Sequence, residues 1–360
     1  MINIGVDLHK TQFTVCVRSK EGNSSSRYST TPVGYADFIS KISAWQQEGH
    51  CVRVGVESTG NTRYFKQRLE AVGVKVVAIN TLKFKVVNES VKKTDKHDAA
   101  TIAEFLEKDM LPESRLCSQE SEQLRRLLKV RTTLVRSIVL VKNQIHALLV
   151  SLGMESKQSM LQSKRGRQRV LASLKKAEHE LVVQPLFDTI EHLELSVKGI
   201  EDELEKLTAS DYIVTLLRTI PGCGKITSIA IRAYTDDIKR FITAKKYASY
   251  SGMVPWVQNS NESVRHGKIT KRGPKELRTA IVQIVLSMRC NKRVTSSWRI
   301  MKRYEHLKSY KGSGKSIIAT GRKVAMIIWH MLTTGEVFNV GMMTNKRLEQ
   351  TAEQMRMAVK

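Results

Sequence analysis

No run of about 18 consecutive apolar residues, the length needed to cross a bilayer, occurs in this 360-residue chain. Its first residues read directly as a strand, with no signal-peptide pattern, so a cytoplasmic protein is expected. Paired cysteines are missing too. Cys16, Cys51, Cys117, Cys223 and Cys290 are odd in number, and no two are spaced C-x-x-C. That spacing speaks against a zinc knuckle and for a reducing compartment. Acidic charge is the third shortage: 34 Asp and Glu stand against 60 Lys and Arg, a formal net charge of +26. Such an excess calls for a polyanionic partner. Nucleic acid is expected ahead of membrane, because no lipidated end or amphipathic anchor is evident. With 41% hydrophobic residues the chain is too apolar for disorder and long enough for two or three domains.

What is present begins with a repeat. Ile2-Asn3-Ile4-Gly5-Val6-Asp7 and Val52-Arg53-Val54-Gly55-Val56-Glu57 share the order apolar, polar, apolar, Gly, Val, carboxylate. This alternation reads as two half-buried strands. Paired in register about 5 Å apart, they would end with Asp7 and Glu57 at one height and on one face. Two carboxylates that close need a shared proton or a divalent cation. The Gly before each leaves room for an approach to the backbone, and the pair reads as the floor of a metal site. A further strand over 12–17, a possible third at Arg27–Ser29, a helix over Tyr35–Trp45, a helix capped by Ser58 or Asn61 and ended by Gly73, and a strand over Val74–Ile79 complete the pattern. Strands first, then strands alternating with helices, predict a mixed α/β sheet of the ribonuclease-H kind.

Lys92-Lys93-Thr94-Asp95-Lys96-His97-Asp98 opens the next helix. Asp95 and Asp98 are three apart and share a helical face, about 5–6 Å between Cβ atoms. Asp95 also suits a helix cap, and Asp98 the helix dipole. Four carboxylates on two strands and a helix could hold two Mg²⁺ ions for phosphodiester chemistry.

From Glu122 the texture becomes helical. Leu127, Leu134, Ile138, Val141, Ile145, Leu148 and Leu152 keep a three–four spacing, with Arg131 at a seam position. Leu186 to Leu207 repeats it, which predicts a helical hairpin or coiled-coil arm, or else a bundle within one protomer. Between them, Lys164, Arg165 and Arg167 head a basic stretch suited to nucleic acid or to a solvated face.

Ile220-Pro221-Gly222-Cys223-Gly224-Lys225 lies between two helical segments, the pattern by which helix–hairpin–helix modules offer N–H groups to a phosphate, with Lys225 alongside. A Gly/Ser/Asn-rich loop from Ser251 to Gly273 holds Ser260, Ser263, Arg265 and His266, and leads to Lys271, Arg272, Lys275 and Arg278 at a helix start, a phosphate-gripping set. His266 suits a groove-lining contact or a proton shuttle. Trp298 and Trp329 are expected in the core. The basic loop Tyr310–Lys315 lacks the P-loop spacing.

With these residues assembled, the chain resembles the DEDD transposases of the insertion-sequence-110 family, relatives of the Piv DNA invertase, over nearly its whole length. Gly5–Lys10, Val56–Gly60, Lys93–Ala99, Ile220–Gly224 and Tyr247–Pro255 carry the resemblance. It implies an α/β RNase H-like (RuvC-like) N-terminal domain over 1–118, in which Asp7, Glu57, Asp95 and Asp98 hold Mg²⁺ or Mn²⁺. A coiled-coil arm over 119–210 follows, then a mainly α transposase domain over 211–343 with a helix-hairpin-helix-like motif, and a polar tail over 344–360. The family places a nucleophilic serine five residues past the proline, here Ser260; the Gly that usually follows is Asn261, and Ser263 lies close by. Lys271 and Arg278 match the family's basic positions. The implied protein is a prokaryotic, nucleoid-associated recombinase that excises and inserts its own element. A structured non-coding guide RNA pairs with donor and target DNA, and a dimer to tetramer shares its active site between the DEDD and serine domains. The rival readings are a hydrolytic junction nuclease, an RNA-independent invertase and a non-catalytic nucleic-acid scaffold.

Overall fold

A computed structural model describes residues 1–20, 22–87, 94–174, 176–260 and 263–339, without the side chains of 85–87, 259–260 and 263–266. Lys92, Lys93, Lys175, Asn261, Glu262 and the tail from 344 therefore lie outside the described residues. The chain divides after Cys117 into two compact units, described separately below.

The first unit is mixed α/β. Its strands are β1 (Ile2–Leu8), β2 (Gln12–Ser19), β3 (Gly22–Ser29), β4 (Val52–Glu57) and β5 (Lys75–Ile79). They form one sheet in the order β3-β2-β1-β4-β5. The first three run as an antiparallel meander, while β4 lies parallel to β1 and β5 parallel to β4. Strand β3 is longer than the expected Arg27–Ser29. Gly22-Asn23-Ser24-Ser25-Ser26 is mostly exposed at the sheet edge, so no apolar period marks it in the sequence.

Strand alternation sorts the two faces. Ile4, Val6, Val54 and Val56 point to one side, where α1 (Pro32–Gln47) and α2 (Thr62–Glu70) bury Phe38, Ile42, Phe65 and Leu69 against them. Each such burial contributes roughly 1.5–3 kcal/mol. The interleaved Gly5 and Cys16 face α4 (Asp95–Glu107), which follows the short α3 (Thr81–Val87). Here the two glycines have a definite task. A Cβ at Gly5 would stand 2.0 Å from the Ala99 carbonyl oxygen, and one at Gly55 would meet the Leu111 and Ile102 side chains at 2.9 and 3.0 Å. The approach they allow is that of a helix and its flanking chain.

The second unit begins with α5 (Gln119–Ser151), α6 (Lys164–Ala172) and α7 (Ala177–Leu207). By length and composition α5 could cross a membrane. Instead it pairs with α7, joined at the seam by Arg131 Nε donating to Glu201 at 2.6 Å. The hairpin and bundle readings each hold in part. Ile138, Ile145 and Leu149 form a core of their own with Phe187, Ile190 and Val170 of α6. Leu124, Leu128 and Leu204 at the root join the core of the helices that follow.

Those helices are α8 (Tyr212–Arg218), α9 (Lys225–Thr235), α10 (Ala244–Tyr250), α11 (Lys275–Cys290), α12 (Lys292–Thr295), α13 (Arg299–Lys311) and α14 (Ser313–Thr334). Trp298 is buried, and the indole of Trp329 donates to the Phe241 carbonyl at 2.8 Å, so both tryptophans serve the core. The expected loop after Gly252 is instead a two-stranded antiparallel ribbon, β6 (Pro255–Ser260) and β7 (Ser263–Ile269). Its apolar residues, such as the adjacent Trp256 and Val257, fall on both faces, so it lacks the one-sided apolar alternation by which strands are read.

Candidate metal centre and serine hairpin

The register of β1 and β4 sets the centre. Gly5 pairs with Gly55 and Val6 with Val56, so Asp7 and Glu57 follow at the same end of neighbouring strands. Two residues beyond each Gly, they share its face and look toward α4. Thr62 Oγ1 donates to the Glu57 carbonyl at 2.6 Å, fixing the backbone where β4 ends.

Helix α4 starts beside them. Its cap is Thr94, whose side chain accepts from the His97 N–H at 3.2 Å, so Asp95 and Asp98 are left for other work. Because α4 rests on Gly5, its first turn is carried to Asp7. Burial pushes the Asp7 carboxyl above its ordinary value; His9 opposes that rise, while the Asp95 and Asp98 charges add to it. His9 joins the group directly, its Nε2 3.0 Å from Asp7 Oδ2 and 3.6 Å from Asp95 Oδ1. Arg27 of β3 approaches Asp95 at 3.8 Å. The backbone of His9 is held in turn by the Asn61 amide, which donates to its carbonyl at 2.9 Å.

Asp7, His9 and Asp95 each offer a ligand atom, all within 4.8 Å of one another. A buried carboxyl crowded by two further carboxylates is relieved by a cation, and oxygen donors with one imidazole suit a divalent ion. The residues fit a metal. His9 was not singled out from sequence as a ligand. It lies two residues after Asp7, just past the end of β1, where strand parity does not fix the direction of a side chain.

The other expected residues lie in the second unit. Ser260 ends β6, its backbone paired with Ser263 of β7; the side chains of Ser260, Ser263, Arg265 and His266 lie outside the described residues. Lys271, Arg272 and Lys275 are exposed around the start of α11. Arg278 points inward, with Nη1 donating to the Ser251 carbonyl at 3.2 Å and the Lys271 carbonyl at 3.4 Å, which ties the ribbon's two flanks together. Lys225 opens α9 and pairs with Glu205 at 2.6 Å. In α6, Arg165 is exposed and Lys164 pairs with Glu191 at 3.3 Å. Arg167, expected on nucleic acid, is 4% exposed and clasps Glu194 with two bonds of 3.0 and 2.8 Å. Its position one turn from the buried Val170 turns it toward α7, and its work is structural.

Comparison with known proteins meets this geometry from both ends. Residues 4–154 match the DEDD transposase model of IS110, and 214–300 match the model described as Transposase IS116/IS110/IS902 family. The chain belongs to the IS110 family of transposases. It is 26% identical to the transposase for insertion sequence element IS1328 of Yersinia enterocolitica, covering 93% of this chain and 98% of that one. Identity to the transposase for insertion sequence element IS1111A of Coxiella burnetii is 25%, over 94% and 91%. A pilin gene-inverting protein of Moraxella lacunata is also 25% identical, over 93% and 97%. Family membership makes this a DNA-cleaving and rejoining enzyme that uses a divalent metal, and it gives the sheet an RNase H-like identity.

Proposed function

We propose that this transposase excises and inserts its own element through a covalent serine intermediate, with Ser260 as nucleophile and Asp7, Glu57, Asp95 and Asp98 holding Mg²⁺ or Mn²⁺. The observation that carries the reading is the gathering of Asp7, His9 and Asp95 within 4.8 Å of one another, beside a helix pinned to Gly5. A bound divalent ion would polarise the scissile phosphate and ease loss of the serine proton. The serine oxygen forms a bond to phosphorus, the deoxyribose oxygen leaves and takes up a proton, and the ester count is unchanged. Rejoining is the reverse, so no external energy source is needed. Lys271, Arg272 and Lys275 hold the strand's phosphates, with Arg265 beside the serine.

Target choice falls to a structured guide RNA, in keeping with a charge of +26 spread over the chain. Exposed Val139, Leu140, Leu181 and Leu195 on the arm support a homo-oligomer, dimer to tetramer. Resemblance to the pilin gene-inverting proteins favours a second reading, RNA-independent inversion.

The test is Ser260→Ala with end-labelled element DNA and Mg²⁺. The expected result is retained binding with no strand breakage and no protein–DNA adduct. Cleavage that persists without the adduct means hydrolysis by water. Sequencing RNA that stays bound through high salt separates the two readings of target choice: one discrete species from the element's flank supports guidance, and none supports inversion.

A further inference from the structure

Beside the ribbon, the second unit contains a cavity of about 990 Å³. One wall is a single face of α14, where Lys315, Ile318, Ala319, Arg322, Lys323 and Met326 follow the three–four spacing. Arg303 and Lys311 of α13 and Lys245 of α10 add to the rim, and Lys268 and Ile269 of β7 close the ribbon side. Eight of the sixteen lining residues are Lys or Arg and none is acidic. None of those eight has an ion-pair partner among the described residues. The floor, by contrast, is apolar: it is the buried Met253, with Ile318 and Met326 adding apolar surface at the foot of the α14 wall.

An apolar floor under a cationic rim selects its ligand. Duplex DNA offers phosphates to a rim but hides its bases and reaches no floor. An unpaired strand offers both, and proteins that bind one combine a basic groove with an exposed aromatic for stacking. The aromatic is present. Trp256 of β6 is 45% exposed. Its ring sits so closely over Gly267, itself a lining residue, that a Cβ there would fall 1.8 Å from the indole.

We infer that this groove holds an unpaired segment of the DNA strand being exchanged, with its backbone on Arg303, Lys315 and Arg322 and a base stacked on Trp256. The strand then leaves along the ribbon that carries Ser260. The choice of strand rests on the proposed serine chemistry; the groove itself does not.

The experiment measures binding of full-length protein to oligodeoxythymidine, to the matching duplex and to oligouridine across a salt series, in the Ser260→Ala background so that chemistry plays no part. Arg303→Ala/Lys315→Ala/Arg322→Ala should lower the log–log salt slope for the single DNA strand by about 2, at about 0.7 for each phosphate no longer neutralised. A control with the same charge loss in the first unit, Lys20→Ala/Lys41→Ala/Lys75→Ala, should leave that slope unchanged. Trp256→Ala should weaken the single DNA strand by roughly five- to a hundredfold and the duplex little. An unchanged slope in the groove variant, an equal loss for the duplex, or a loss confined to oligouridine would overturn the inference. Should the triple variant fail to fold, photo-crosslinking of 5-iodouracil-substituted DNA to the unaltered groove decides instead, because adducts must map to Trp256 or α14. Ser260→Ala that still cleaves, with the groove effect intact, removes the serine mechanism and leaves the groove.

Discussion

Strand β1 is buried at all 7 of its residues, whereas Trp256, Val257 and Gln258 of β6 are all exposed. The two strands carry the two halves of the proposed chemistry, and they are made for different tasks. Around Asp7 each position is over-determined: Gly5 by the backbone of α4, Val6 by the aromatic core, His9 by Asn61. The ribbon presents Trp256, Val257 and Gln258 to solvent and is tied down at its base, through Arg278 and the Gly267–Trp256 contact. Fixed geometry sits where charge must be held against repulsion. Open surface sits where a polyanion must be met.

The contrast can be broken first at Asp7. Asp7→Asn should lower strand cleavage on the order of a thousandfold, the several kcal/mol expected when a metal ligand is removed. The same change should raise the melting temperature of the metal-free protein. Burial holds the Asp7 carboxyl above its ordinary value, so its stabilising protonated form is lost as pH rises through that raised value. At neutral pH the charge is a burden that Asn removes. Mg²⁺ should then stabilise the native protein in a thermal melt and leave Asp7→Asn unmoved.

A second break is at Gly5. Gly5→Ala forces a methyl to within 2.0 Å of the Ala99 carbonyl oxygen. It should cost roughly 3 kcal/mol or more in denaturant unfolding, above the usual overpacking range because backbone cannot step aside. In the second unit, Arg167→Ala strips Glu194 of a partner that is itself buried, and about 2 kcal/mol should be lost, since Glu194 keeps some access to water. Gly199→Ala marks the opposite limit. Nothing lies within 4 Å of a Cβ there, mid-helix in α7, and the arm should gain up to about 1 kcal/mol. If Gly5→Ala and Gly199→Ala proved equally mild, the sheet would not be the fixed partner in this comparison. The smallest effect is chemical: at pH 8 a thiol reagent should label Cys51 and Cys290, which are exposed, and spare Cys223. Burial pushes that thiol up to about 12, so it stays protonated.

The sheet was legible because its inner strands alternate. Ile2–Asp7 and Val52–Glu57 announce their own register, and Thr94-Asp95 announces a helix start. What escaped is what lacks an apolar period: Gly22–Ser26 of β3, at the exposed edge, and the ribbon from Pro255 to Ile269. His9 escaped for a different reason. It lies just past the end of β1 at Leu8, where strand parity no longer guarantees direction, and its turn toward Asp95 depends on Asn61 from another element. Arg167 misled because a basic cluster in sequence says nothing of which member turns inward onto Glu194.

The bare contact between α4 and Gly5 has an evolutionary corollary. Most helices ride on a cushion of side chains that can be exchanged, one bulge offsetting one hollow, so their positions drift by tenths of an ångström as sequences diverge. Helix α4 has no cushion under its first turns, because carbonyl and Cα stand on strand backbone. Two of the four proposed ligands are thus placed against the sheet by direct backbone-to-backbone packing at Gly5. A substitution at Gly5 would therefore move Asp95 and Asp98 together with the helix that carries them.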